Sequence, residues 1–322
     1  MEVLDLLFIN PFVLVGNDPA VFVETIIKGL MTGVLYSLVA LGFVLIFKAS
    51  GVFNFAQGVL ALFAALTLTG VMGLIGDALP KPLTVFIAIV VTIGIMILLA
   101  ICVERFVLRK LVNQELIVLF MSTLGLAYFL EGLGDIMWGS DVKVLDIGLP
   151  SDVFTFEMLG GLVFVEQLDI VAAVTGGLMV VVLAVFFSKT RIGRALRAVA
   201  DDHQAALSVG ISLQQIWVIV WSVAGIVALV AGIMWGSKSG VQFSLSLIAL
   251  KALPVLILGG FTSIPGAIIG GLIIGVGEKM ADYLWYDLHG GAVENWFAYV
   301  LALAFLMFRP QGLFGDKIIE RL

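Results

Sequence analysis

Arg191, Arg194 and Arg197 stand three residues apart, with Lys189 just before them. On a helix, residues three and four apart are neighbours, so the three guanidinium groups fall near one face. Asp201-Asp202, Ala205-Ala206 and Gly210-Ile211 follow, and Gly210 reads as a helix stop. The pattern predicts a short helix pair with a basic face, suited to docking a soluble partner. Ordinary positive charge on a cytoplasmic loop would look the same by count alone.

Other residues offer polar chemistry inside apolar surroundings. Asn54 and Gln57 are three apart and read as sharing a helix face at the start of an apolar run. Amides there are costly in lipid unless paired or wet, so they either hydrogen-bond a zwitterion in transit or join helices. Glu131, Asp135, Lys251, Glu278 and Lys279 are charges within or beside apolar runs, functional candidates by default. Asp135, Glu278 and Lys279 read as interfacial. Lys251, inside Leu247 to Leu256, reads as a substrate contact or as half of a salt bridge. Gly259-Gly260 followed by Pro265-Gly266 can break a helix in the membrane, which is tolerated where backbone polar groups line a cavity. Thr262 and Ser263 lie in that break. Gly266, Gly270, Gly271, Gly275 and Gly277 read as a small-residue helix face for close packing.

Several chemistries find no support. No Gly-x-x-x-x-Gly-Lys-Ser/Thr run is present to cradle nucleotide phosphates. No His, Cys and carboxylate cluster has metal-ligand spacing, and nothing suggests nucleic acid. His203 and His289 read as solvated loop histidines, and Cys102 as a small buried hydrophobe. The chain reads as a passage, not an enzyme, with no cofactor or metal of its own.

The elements that carry these residues follow from composition. Of 322 residues, 61% are hydrophobic and 12% charged. Soluble domains carry about 25% charged residues, and runs near 20 apolar residues cross a bilayer. The runs do not alternate, so helices are expected and a β-barrel is not. The expected fold is an all-α polytopic membrane protein of about eight transmembrane helices, with a broken or re-entrant segment near 258–266. Residues 1–20 read as a short interfacial segment, 21–309 as one transmembrane domain in contact with lipid and 310–322 as a cytoplasmic tail. Loop 138–167 carries Asp141, Asp146, Asp152, Glu157 and Glu166 against Lys143 alone and is placed outside. Loop 188–212, Arg105 to Lys110 and the tail are placed inside.

The order of the motifs is more specific than their charge. Gly193-Arg194-Ala195-Leu196-Arg197-Ala198, with the Asp, Ala and Gly pairs after it, resembles the cytoplasmic loop of branched-chain amino acid ABC importer permeases, the LivH-type membrane subunits. Four further blocks agree in order: Phe53 to Gly58, Ser122-Thr123-Leu124-Gly125-Leu126, Leu258 to Ala267, and Arg309-Pro310-Gln311-Gly312-Leu313-Phe314-Gly315. Together they cover about residues 25–315. Two positions depart from the pattern: Gln57 stands where the family commonly has His, and Phe261-Thr262 where a Gly often occurs.

The resemblance implies a permease subunit in a bacterial plasma membrane, moving branched-chain amino acids into the cell. It implies a second homologous permease, an extracytoplasmic solute-binding protein and two cytoplasmic ATPase subunits holding ATP and Mg. Arg191, Gly193, Arg194, Ala195, Arg197, Ala198, Asp201, Ala205 and Gly210 would couple to the ATPases. Asn54, Gln57, Ser122, Thr123, Lys251, Thr262 and Ser263 would line the path, and Gly259, Gly260, Pro265, Gly266 and Gly270 would make the helix break. Relatives that carry urea, short amides or small carboxylates define one alternative. A stand-alone channel or secondary carrier is the other.

Overall fold

A computed structural model describes residues 10–111, 114–201, 203–286 and 293–315. Among these, seven helices are long and apolar enough to cross a membrane, and two apolar helices are shorter, Phe243–Gly259 and Trp296–Phe308. The protein is an all-α polytopic membrane protein, as the unbroken apolar runs require. With no water in the hydrocarbon core, a backbone satisfies its own polar groups most simply as a helix.

The chain forms two compact units. One comprises Met1–Ser37, Pro150–Gly177 and Lys251–Leu322; the other comprises Leu38–Leu149 and Leu178–Leu250. In chain order the helices are α1 (Asn10–Asn17), α2 (Pro19–Ser50), α3 (Gln57–Ile75), α4 (Lys81–Phe106), α5 (Leu116–Trp138), α6 (Gln167–Lys189), α7 (Arg191–Asp201), α8 (His203–Ser208) and α9 (Leu213–Ser239). A 3-10 turn, Phe243–Leu247, leads into α10 (Ile248–Gly259), followed by α11 (Ile264–Leu284) and α12 (Glu294–Phe308).

In the second unit, α9 packs on α3 and α4. Glycines set the spacing. A Cβ on Gly232 would lie 2.5 Å from the Ala61 carbonyl oxygen, and one on Gly225 would lie 3.3 Å from Met96. Gly58 meets the Ser246 carbonyl more closely still, bringing the 3-10 turn onto α3. At one end Lys143 and Val241 exchange backbone hydrogen bonds of 2.9 and 2.8 Å. At the same end the Lys81 ammonium bonds Asp146 at 2.6 Å, and with the Gly148 N–H it holds that carboxyl below its usual range.

In the first unit, α2 crosses α11 through backbone. A Cβ on Gly33 would lie 2.6 Å from the Gly271 oxygen, and one on Gly29 would lie 2.7 Å from the Val276 Cα. The glycines of α11 do not form one face. Gly271 and Gly275 meet α2, Gly266 and Gly270 meet α10, and Gly277 meets Leu301 of α12. Three neighbours thus approach one helix at its small residues.

Two local expectations change. The acidic loop contains an antiparallel hairpin, β1 (Val153–Met158) and β2 (Gly161–Glu166). Leu159 (φ 55°) and Gly160 (φ 80°) make its two-residue turn, the left-handed pair that matches strand twist. Val163 and Val165 pack with Ala20, Ile27 and Met31. Cys102 is half-buried, not fully buried.

Candidate functional site

The basic loop folds as α7 and α8, packed on each other and on α9. Thr190 starts α7: its hydroxyl accepts the Gly193 N–H at 3.1 Å and donates to the Phe186 carbonyl at 2.6 Å. Burial along α7 follows the helical period. Gly193, Leu196 and Val199 are buried, and Arg191, Arg194 and Arg197 are exposed. Gly193 sits against the Phe187 backbone, where a Cβ has no room.

The arginines are not equivalent. Arg197 donates to the carbonyls of Phe187 (2.7 Å) and Ser188 (3.4 Å), and Arg194 to that of Lys189 (3.4 Å). These are carbonyls at the C-terminus of α6, where a helix leaves acceptors open and favours cations. Arg191 reaches none of those carbonyls and points its charge outward. Ala195 and Ala198 are half-buried and Ala205 is exposed. Gly210 (φ 83°) ends α8, with the Ile211 N–H donating to the Ala206 carbonyl. Asp201 ends α7; Asp202 and His289 lie outside the described residues.

Asn54 and Gln57 do meet, but not across a helix face. Residues 53–56 precede α3, which starts at Gln57. The Asn54 Oδ1 accepts the Ala56 N–H at 3.1 Å, and its Nδ2 donates to Gln57 Oε1 at 3.4 Å. Gln57 Nε2 donates to the Ala224 carbonyl of α9 at 3.4 Å, and the amide lies on Gly42 of α2. Thr123 of α5 receives the Phe55 N–H and donates to the Phe53 carbonyl, satisfying the unwound segment. Asn54 and Gln57 are 0% and 1% exposed. Ser122, one residue earlier, bonds the Leu119 carbonyl of its own helix.

Gly259 ends α10, and Gly260 turns with φ 101°. Gly259 and Gly266 touch backbone to backbone, which joins α10 to α11 through a tight corner. Ser263 caps α11, its hydroxyl accepting the Gly266 N–H at 3.0 Å, and Pro265 sits in the first turn. Thr262, beside it, is half-buried. The C-terminal block closes the corner. The N–H groups of Leu313 and Phe314 donate to the carbonyls of Leu258 and Gly259 at 2.8 and 3.2 Å. Such backbone donors satisfy the last carbonyls of α10.

Lys251 and Glu278 form a salt bridge, Nζ to Oε1, of 2.9 Å. The Tyr36 hydroxyl also donates to Glu278 Oε1, at 3.2 Å. Glu278 is 1% exposed, which corrects its interfacial assignment. Its carboxylate faces into the first unit, toward Tyr36 of α2 and Lys251 of α10. Sequence spacing could not reveal Tyr36, 242 positions away from its partner.

The profile of the family described as "Branched-chain amino acid transport system / permease component" matches residues 25–309. The high-affinity branched-chain amino acid transport system permease protein BraD of Pseudomonas aeruginosa is 29% identical over 310 residues, covering 94% of this chain and 98% of its own. The corresponding LivH protein of Escherichia coli is 26% identical over 311 residues, with the same coverage. A probable branched-chain amino acid transport permease protein LivH of Methanocaldococcus jannaschii is 27% identical over 304 residues, 89% of this chain and 91% of its own. The chain belongs to the branched-chain amino acid transport system permease family.

Proposed function

We propose that this protein is the membrane permease subunit of an ATP-binding cassette importer that carries branched-chain amino acids into the cell. The observation that carries the reading is α7. It is too short to cross a membrane, buries Gly193, Leu196 and Val199, and leaves Arg191, Arg194 and Arg197 exposed between two long helices, with the Arg191 charge outward. A helix fixed on one side and charged on the other is suited to receive motion from a cytoplasmic partner. The substrate class comes from relatives named for branched-chain amino acid transport, matched along nearly their whole length.

In this reading two ATPase subunits bind ATP and Mg and press on α7 and α8. Arg194 and Arg197 tie α7 to the end of α6, so displacement of α7 pulls that helix. A second permease completes the passage, and a solute-binding protein delivers substrate at the hairpin side. The C-terminal segment and loop 188–212 lie in the cytoplasm. The sealed junction of Asn54, Gln57 and Thr123 belongs to the wall that opens during transport, as does the corner at Thr262 and Ser263.

Copurification from native membranes in mild detergent, followed by mass spectrometry and uptake in proteoliposomes, tests this. Two ATPase chains, a second permease and ATP-dependent leucine uptake are expected. A chain that purifies alone and moves solute without ATP would make it a carrier or channel.

A further inference from the structure

The Gln57 amide at the start of α3 lies on Gly42 of α2, eight residues before α2 ends at Ser50. At 1.5 Å per residue, α3 therefore begins about 12 Å back along α2. The end of α2 meets the start of α9 instead, where the Ala49 carbonyl accepts the Trp217 indole N–H at 3.1 Å. Residues 51–56 return along α2 without forming a helix. Both α2 and α3 are long and apolar enough to cross a membrane. Non-helical backbone at that depth is tolerated only buried in protein or beside a water-filled cavity.

Three features make the stretch movable. Gly51 begins it with φ 68°, is exposed, and has nothing within 4 Å of its Cβ position, so the chain can pivot there. The stretch also supplies the two middle rings of an aromatic row. Phe43 of α2 stacks on Phe53 at 4.9 Å, Phe53 meets Phe55 edge to face at 4.6 Å, and Phe55 meets Phe120 of α5 edge to face at 4.8 Å. Phe43 is buried, whereas Phe53, Phe55 and Phe120 are half-buried, so the row borders the packed core rather than filling it.

Thr123 is the third feature. Its hydroxyl accepts the Phe55 N–H at 3.3 Å. Two carbonyls lie in reach of its hydrogen, Phe53 at 3.1 Å and Phe120, on its own helix, at 2.9 Å. A hydroxyl has one hydrogen to donate, so it serves one carbonyl at a time. Given to Phe53, that hydrogen ties the stretch to α5. Given to Phe120, it drops this tie without being left unpaired, which avoids the main penalty of breaking a buried hydrogen bond.

We propose that residues 51–56 are a hinged flap that gates the passage. Phe53 and Phe55 are the gate: held between Phe43 and Phe120, they close an apolar constriction that excludes water and solute. Thr123 is a positioning residue, the latch that holds the flap shut. The inference rests on the importer reading for its direction. The α7–α8 pair packs on α9, so its motion reaches the flap through α9 and the Trp217–Ala49 hydrogen bond, and the flap is the inner gate.

The test uses the intact complex, purified with its partner subunits and placed in proteoliposomes. Efflux of radiolabelled L-leucine without nucleotide reads the closed gate, and uptake with binding protein and ATP reads transport. The wild type should hold its leucine. F53A/F55A should leak at least about tenfold faster, the effect of losing the ring contacts on the barrier. T123V should leak as well, and T123S, which keeps the hydroxyl, should hold leucine as the wild type does. An assembled F53A/F55A complex as tight as the wild type would overturn the gate, and a tight T123V or a T123S that leaks equally would overturn the latch. If F53A/F55A fails to assemble, F55C in a C102A background decides. Its labelling by a water-soluble thiol reagent should rise when ATP and binding protein are added, and equal labelling at rest and in turnover overturns the gate. Absence of ATP-dependent amino acid uptake in the wild type strikes the importer reading instead.

Discussion

The Lys251 ammonium lies 2.9 Å from a Glu278 carboxylate oxygen, joining α10 to α11 inside the apolar part of the first unit. The partners differ in exposure, 31% for the Lys251 side chain and 1% for that of Glu278. Removing one member of a buried pair leaves an uncompensated charge, at about 3–5 kcal/mol when that charge is fully buried. K251M strands the deeper group and should therefore lower stability more than E278Q, which leaves the partly exposed lysine. The double variant K251M/E278Q should be more stable than K251M alone. Thermal unfolding in detergent reads the order directly, and equal losses in the two single variants would mean the pair is not coupled as its geometry indicates.

The crossing of α2 over α11 gives a second test. A Cβ on Gly275 would press on Gly33 and the Gly29 carbonyl, all backbone that cannot rotate away. G275A should cost about 1–3 kcal/mol, the usual effect of overpacking. Gly94 on α4 has nothing within 4 Å of its Cβ position, so G94A should be neutral or gain up to about 1 kcal/mol from helix propensity. Melting temperatures of the two variants in one detergent separate packing from propensity.

Features set by near neighbours are legible in the sequence, and contacts between distant segments are not. Apolar runs announce the helices, and the Arg191 to Gly210 spacing announces a helix pair, because both depend on residues three or four positions away. The hairpin is hidden because its turn carries Leu159-Gly160 in place of the usual Asn-Gly, and because β1 exposes nearly every residue. Glu278 reads as interfacial because its partners Tyr36 and Lys251 come from other helices. The C-terminal block is recognisable as a motif, yet its contact with Leu258 and Gly259 is made by backbone N–H groups, which no side-chain pattern reports.

The arginines of α7 should divide by role. Arg197 bonds two carbonyls at the end of α6, whereas Arg191 leaves the helix surface. R197E would place a negative charge against a helix C-terminus, an interaction reversed by up to about 1 kcal/mol for an exposed site. It should lower both the melting temperature and ATP-dependent uptake. R191E should leave melting unchanged and reduce uptake or ATPase retention during copurification. Full uptake in R191E would remove the docking role from that face.

Gln57 is the buried polar residue whose role substitution separates most sharply. Its amide accepts from Asn54 and donates to the Ala224 carbonyl in a site sealed from solvent. Q57A would leave the buried Asn54 amide nitrogen without its acceptor, at about 1–3 kcal/mol for such a group. Q57H can restore one donor and one acceptor, since a neutral imidazole carries each on a different nitrogen. C102A, at a half-buried position on α4, removes only a sulfur atom. Stability and leucine uptake should therefore fall in Q57A, recover in part in Q57H and stay near wild type in C102A. If Q57H regains stability but transports a different range of solutes, the residue selects substrate; if it regains both stability and the original range, its role is to hold α2, α3 and α9 together.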